Sequence, residues 1–305
     1  MRINKKIGDV FCYRDSRNER SALSVHKIIP FAELYEKTGI QYSSFNTVYQ
    51  LFADKESGKL ENAKYFLMLP DYFNFRLTGV ISQEYTEATT TGMVNAKTHT
   101  WDGEILERLG YDKSLFVKLS VPGSAVGNFS DEVKKLVGYD ATVIQPATHD
   151  TASAVLGAPL DKDSPYISSG TWSLLCVEEN LAHTGETARE ENYSNEGKVL
   201  DIKDTAFVIY DNLARSYADA MTALERITGK KYTTLNIIGG GSQNNFLNKL
   251  TAKYTKRNII AGPSECTALG NLIMQMIGNG EISSISQGRK IIKNSFDIKE
   301  ITAEI

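Results

Sequence analysis

Massed positive charge is what this sequence most plainly lacks. Its 34 lysines and arginines form no block, 37 aspartates and glutamates outnumber them, and the net charge is -3. Nucleic-acid binding is driven by clustered Lys and Arg, so that partner class is not expected. Cysteine is scarce too: Cys12, Cys176 and Cys266 are odd in number, widely spaced and free of any Cys-x-x-Cys pair. That pattern argues against a disulfide framework and a thiolate zinc site, and the expected setting is reducing and cytoplasmic. His26, His99 and His183 show no metal spacing, and neither a His-Glu-x-x-His helix nor a Gly-x-Ser-x-Gly elbow supports a hydrolase. Apolar runs such as Leu272–Ile277 fall well short of the ~20 residues of a membrane span. The opening fifteen residues carry charges and no apolar core of signal-peptide length, so no membrane association is expected.

What is present is an ordinary globular composition over 305 residues, enough for two domains of ~100–200 residues each. The first half reads as helical. Pro30 starts an amphipathic turn or two ending at Gly39, and Asn46 can cap a helix carrying Val48, Leu51 and Phe52. A helical stretch is predicted from Ala63 to Leu69, resuming from Asp71 to Leu77 and stopping at Gly79, whereas the Thr-rich run Thr86–Thr91 reads as loop or turn. After about residue 140, β-branched apolar runs alternate with helical spacings, most clearly over Thr205–Ile227. That alternation predicts an α/β domain with at least partly parallel strands.

Three constellations could carry chemistry. The first is Pro146–Ala154, where a strand runs out, His149-Asp150-Thr151 stands at the turn, and a small-residue helix follows. Asp150 there is either an N-cap accepting backbone hydrogen bonds or a base accepting a proton from a bound hydroxyl. The small residues behind it would let the helix approach the sheet closely. The second is Ser168-Ser169-Gly170-Thr171-Trp172-Ser173, either a plain tight hairpin or one whose backbone converges on a phosphate. The third is Ile237–Asn244, a buried strand ending in Gly239-Gly240-Gly241 before a helix. It is a structural turn or a close approach to a ligand, and it matches neither a dinucleotide fingerprint nor a Walker loop.

Taken together and in this order, the three constellations resemble the FGGY carbohydrate-kinase family of the actin-like ATPase superfamily. The likeness is strongest to its L-rhamnulose-phosphorylating members and runs along almost the whole chain. It is carried by Thr38-Gly39-Ile40-Gln41, Phe45–Leu51, Leu69–Phe73 with Arg76–Gly79, and Glu84–Thr91. His149–Val155, Ser168–Leu174, Asn195-Glu196-Gly197, the glycine triplet and Ala261-Gly262-Pro263 complete it. The resemblance implies an α/β, ribonuclease H-like two-domain fold that closes over ATP and sugar. Residues 1–157 would be the remainder of a sugar-binding N-terminal domain and 158–305 a nucleotide-binding C-terminal domain. It implies Asp150 as catalytic base, His149, Asp150 and Thr151 at the sugar, Thr171 and Gly240 at the nucleotide, and Mg²⁺ bridging the phosphates by ligands the sequence leaves unknown. The acceptor it implies is L-rhamnulose; another ketose or deoxysugar, or a non-catalytic binding remnant, are the alternatives.

Two family features are missing. The opening Asp-x-Gly-x-Ser-Ser hairpin has no counterpart, and after Gly197 the chain passes through Lys198–Asp204 almost directly into the next helix. The expectation is an incomplete first domain, unpaired sheet edges with exposed apolar faces, and little or no turnover by the chain on its own. A monomer or weak homo-oligomer is expected.

Overall fold

The computed structural model describes residues 6–8, 10–13, 15–161, 164–170, 173–178, 182–191, 198–199 and 206–303. Thr171, Trp172 and the segment Asn195-Glu196-Gly197 lie outside the described residues. Packing divides the chain into two units.

The first unit holds residues 1–121, 126–143 and 184–189. Its helices are α1 (Arg17–Ile28), α2 (Phe31–Thr38), α3 (Thr47–Glu56), α4 (Leu69–Thr78), α5 (Tyr85–Thr89), α6 (Gly103–Arg108) and α7 (Asp131–Val137). Gly39, Gly79 and Gly138 end α2, α4 and α7 in the left-handed conformation, where a Cβ would be strained. Val25 and Ile29, Val48, Tyr49 and Phe52, and Ile105, Leu106 and Leu109 close into one core, each large side chain worth ~1.5–3 kcal/mol of burial. The strands here are short: β1 (Gln83–Glu84), β2 (Val94–Asn95), β3 (Thr100–Trp101), β4 (Leu119–Ser120), β5 (Ala125–Asn128) and β6 (Thr142–Ile144). Among the described residues they form only two-stranded pairs, β1 with β4, β2 with β3 and β5 with β6. Leu69, Phe73 and Leu77, one face of α4, are exposed.

Two local expectations fail in this unit. Residues 63–68 are not helical: the Phe66 N–H donates to Leu115 O at 3.0 Å, and its ring packs on Trp101 and Phe116, which holds the segment extended. Thr86–Thr91 is not simply loop. The Glu84 carboxylate accepts the N–H groups of Thr86 and Glu87 and so caps α5, while the Thr89, Thr90 and Thr91 hydroxyls donate to carbonyls three residues back.

The second unit holds residues 122–125, 144–183 and 190–305. It contains α8 (Asp150–Gly157), β7 (Tyr166–Ser169), β8 (Ser173–Cys176), the last residue of α9 (Glu186–Glu190, otherwise in the first unit), β9 (Lys198–Val199), α10 (Ala206–Thr228) and β10 (Thr234–Ile238). These are followed by α11 (Asn245–Thr255), β11 (Asn258–Ala261), α12 (Cys266–Gly278), α13 (Ile285–Ser295) and β12 (Lys299–Ile301). One six-stranded sheet runs β12-β11-β10-β7-β8-β9, with β7, β10 and β11 parallel and β8, β9 and β12 antiparallel to their neighbours. On one face Tyr166, Cys176 and Ile238 bury against Ala154 of α8 and Cys266 of α12. The alternate positions Ile167, Leu175 and Ile237 serve the other face and are equally buried. Helices on both faces of a largely parallel core are the α/β architecture expected.

Candidate active site

The site grows from the way α8 is started and held. Beyond β6, the backbone of buried Gln145 is pinned on both sides, its carbonyl accepting from Gly123 N at 2.7 Å and its N–H donating to Ser124 O at 2.9 Å. The turn that follows is clamped from within: Ser153 Oγ donates to Ala147 O at 2.6 Å, and Ser153 N to His149 O at 3.0 Å. His149, Asp150 and Thr151 are therefore presented together on a short, fixed arc.

Asp150 is not the cap of α8. His149 occupies the cap position without a side-chain cap bond, and Asp150 is the first helical residue. Its carboxylate is 82% exposed, with Oδ1 accepting from Thr151 N at 2.6 Å and from Thr151 Oγ1 at 3.3 Å. His149 Nε2 stands 3.8 Å from the same oxygen. An exposed carboxylate beside an imidazole and a hydroxyl can orient a polyol and receive a proton from it.

What fixes α8 is α12. A Cβ on Gly157 would lie 2.1 Å from Cys266 O, and one on Gly270 would lie 1.7 Å from Ser153 O. Neither position admits a side chain, so the helices meet backbone to backbone. The small residues behind Asp150 thus serve this helix–helix contact, not only the sheet. Thr267 Oγ1, on the first turn of α12, donates to Asp150 O at 3.4 Å. Cys266 is sealed beneath; burial pushes its thiol up to about 12 against the opposing Gly239 N–H, and it donates to Pro263 O.

The hairpin and the glycine turn lie against each other. A Cβ on Gly239 would come 2.8 Å from Ser169 O, and one on Gly241 would come 1.9 Å from Ser169 Oγ. Gly240 and Gly170, by contrast, have nothing within 4 Å of a built Cβ. The flanking glycines are used up in close packing, and Gly240 leaves its backbone uncovered, a place where a flat or phosphorylated ligand can approach. The structure thus sets His149, Asp150 and Thr151 on one arc and packs Ser169 of the hairpin against Gly239 and Gly241, on either side of Gly240, all within the second unit; Thr171 is outside the described residues. The sequence does not single out Ser153, Gly157 or Tyr217, and it shows Gly270 without a role. Glycines inside two helices, each costing ~1 kcal/mol against alanine, are the available signal.

Sequence profiles of the FGGY family of carbohydrate kinases match residues 2–157 (N-terminal domain) and 201–278 (C-terminal domain). The chain belongs to the FGGY family of carbohydrate kinases. A rhamnulokinase of Halalkalibacterium halodurans is 36% identical over 372 aligned positions, covering 97% of this chain and 80% of that protein. A rhamnulokinase of Oceanobacillus iheyensis is likewise 36% identical, covering 96% of this chain and 78% of its own length. Because 372 positions exceed the 305 residues here, the first relative carries residues with no counterpart in this chain. A gluconate kinase structure from Lactobacillus acidophilus shares the fold, with a TM-score of 0.78 at 17% identity, covering 99% of this chain and 76% of that one.

An FGGY kinase is a phosphotransferase that takes a small sugar as acceptor and ATP as donor, generally with a divalent metal. Among the described residues no group of three or more His, Cys, Asp or Glu side chains could cage a metal. No helix among the described residues is long and apolar enough to cross a membrane.

Proposed function

We propose that this chain is an L-rhamnulose kinase acting on the 1-hydroxyl, with ATP as donor and Mg²⁺ as the metal, and that its turnover on its own is low. The observation that carries the reading is the exposed Asp150 carboxylate, set between His149 and Thr151 on a helix that two glycine contacts hold in place. The 36% identity to two rhamnulokinases supports the choice of sugar.

In this reading His149 and Thr151 orient the sugar, and Asp150 takes the proton from the 1-hydroxyl as its oxygen bonds to the γ-phosphorus. The bond from that phosphorus to the β–γ bridging oxygen breaks and ADP leaves. Little covalent chemistry is asked of the protein, so positioning and charge placement carry the rate. Mg²⁺ on the phosphates would neutralise charge on the transferring group. Gly240 and Thr171 hold the nucleotide side. Residues 1–157 and 158–305 divide the labour as sugar-binding and nucleotide-binding domains; neither nucleic acid nor membrane takes part, and the protein works in the cytoplasm as a monomer or weak homo-oligomer.

The test is a coupled ADP-release assay at high enzyme concentration with L-rhamnulose, L-fuculose and D-xylulose in parallel, backed by thermal shift with each sugar. L-Rhamnulose is expected to give the highest kcat/KM and the largest rise in Tm, because a ligand bound only by the native state stabilises it. Preference for either other sugar would overturn the assignment.

A further inference from the structure

The β7–β8 hairpin is held from the side opposite α8 by a residue that no ligand would touch. Tyr217, on α10, is 1% exposed and donates from Oη to Ser173 Oγ at 2.9 Å. Burial pushes its phenol pKa up, and hydrogen bonds with the Ser173 and Ser169 side chains oppose that rise. Ser169 and Ser173 are cross-strand partners, the last pair before the hairpin turns at Gly170. Ser169 in turn fills the space left by the missing side chains of Gly239 and Gly241. A chain of contacts therefore runs from α10 through the hairpin serines to the glycine turn, and Gly240 sits uncovered at its end.

We propose that Tyr217 is a positioning residue for the nucleotide, its phenol holding the Ser169–Ser173 end of the hairpin at the spacing from Gly239–Gly241 that phosphates require. This rests on the reading of hairpin and glycine turn as the ATP side of the site. A buried hydroxyl suits that role, because its bond is directional and leaving half-buried Ser173 without its partner is costly.

The experiment measures ADP affinity with Mg²⁺ by calorimetry, L-rhamnulose affinity, and Tm, for the parent, Tyr217→Phe and Tyr217→Phe/Ser173→Ala. Tyr217→Phe is expected to weaken ADP about five- to tenfold, the equivalent of one buried hydrogen bond, while sugar affinity stays unchanged. The double variant removes both partners, so Tm is expected to recover while ADP affinity remains low. A residue that merely stabilised the fold would show affinity recovering with Tm; that result, or unchanged ADP binding in Tyr217→Phe, overturns the proposal. If Tyr217→Phe does not fold, Ser173→Ala alone reads the same bond from the hairpin side. A parent that binds no ADP defeats the nucleotide-site reading itself, and this inference with it.

Discussion

Replacing Gly270 with alanine sets two principles against each other. Alanine in a helix interior ordinarily gains ~1 kcal/mol over glycine. Here the new Cβ would stand 1.7 Å from Ser153 O and 2.6 Å from its carbonyl carbon. Restoring an ordinary separation near ~3.5 Å requires α8 and α12 to part by roughly 1.5–2 Å. Overpacking of that severity costs ~3 kcal/mol, leaving a net loss of ~2 kcal/mol after the helix gain. For a domain the size of the second unit, Tm would fall by about 4–8 °C. The displaced helix carries Asp150, and a misplacement of ~1 Å at a reacting group costs on the order of a hundredfold in rate. Differential scanning calorimetry and the ADP-release assay read the two effects. An alanine variant with an unchanged or raised Tm and the parent's rate of turnover would refute the backbone-to-backbone contact and its role in presenting Asp150.

Acid sensitivity and thiol reactivity give two further checks. Burial raises the Glu225 carboxyl, but Lys231, Arg257 and the Tyr232 N–H outweigh it and hold the pKa down at about 2, against an ordinary 4.5. The stability this carboxylate contributes is thus full above about pH 4.5 and is lost as pH falls toward about 2. Urea midpoints between pH 6 and 2 should fall more steeply for the parent than for Glu225→Gln, and parallel curves would contradict the assignment. Of the three cysteines, exposed Cys12 should react with a thiol reagent in the native protein, whereas buried Cys176 and Cys266 should react only on unfolding. Rapid native labelling of Cys266 would contradict the packing beneath Gly239.

The helices and strands of the second unit are largely legible in the sequence, because their signals are local. Spacing over Thr205–Ile227 marks α10, the apolar residues before Gly239 mark a buried strand, and in the first unit Gly39 and Gly79 mark helix ends. Failures come where distant partners decide. Phe66 is drawn into extended backbone by Leu115, Trp101 and Phe116; the Thr-rich run fails for a local reason instead, because Glu84 just before it caps it into a helix. Asp150 stands out by its neighbours, but its place as first helical residue, not cap, depends on the Ser153 clamp and the α12 contact. Tyr217 has no signature at all: one tyrosine on the inner face of a helix reads as core until Ser173 is seen beneath its hydroxyl.

The most direct measurement is single-turnover phosphorylation of L-rhamnulose by the parent and by Asp150→Asn, with sugar affinity determined for both. Asparagine keeps the shape and removes the proton acceptor, so the rate should fall by a factor on the order of 10²–10⁴ while L-rhamnulose binds as before. Equal rates in parent and variant would remove Asp150 from the mechanism, and loss of sugar binding alongside the rate would make it a binding residue instead of a base.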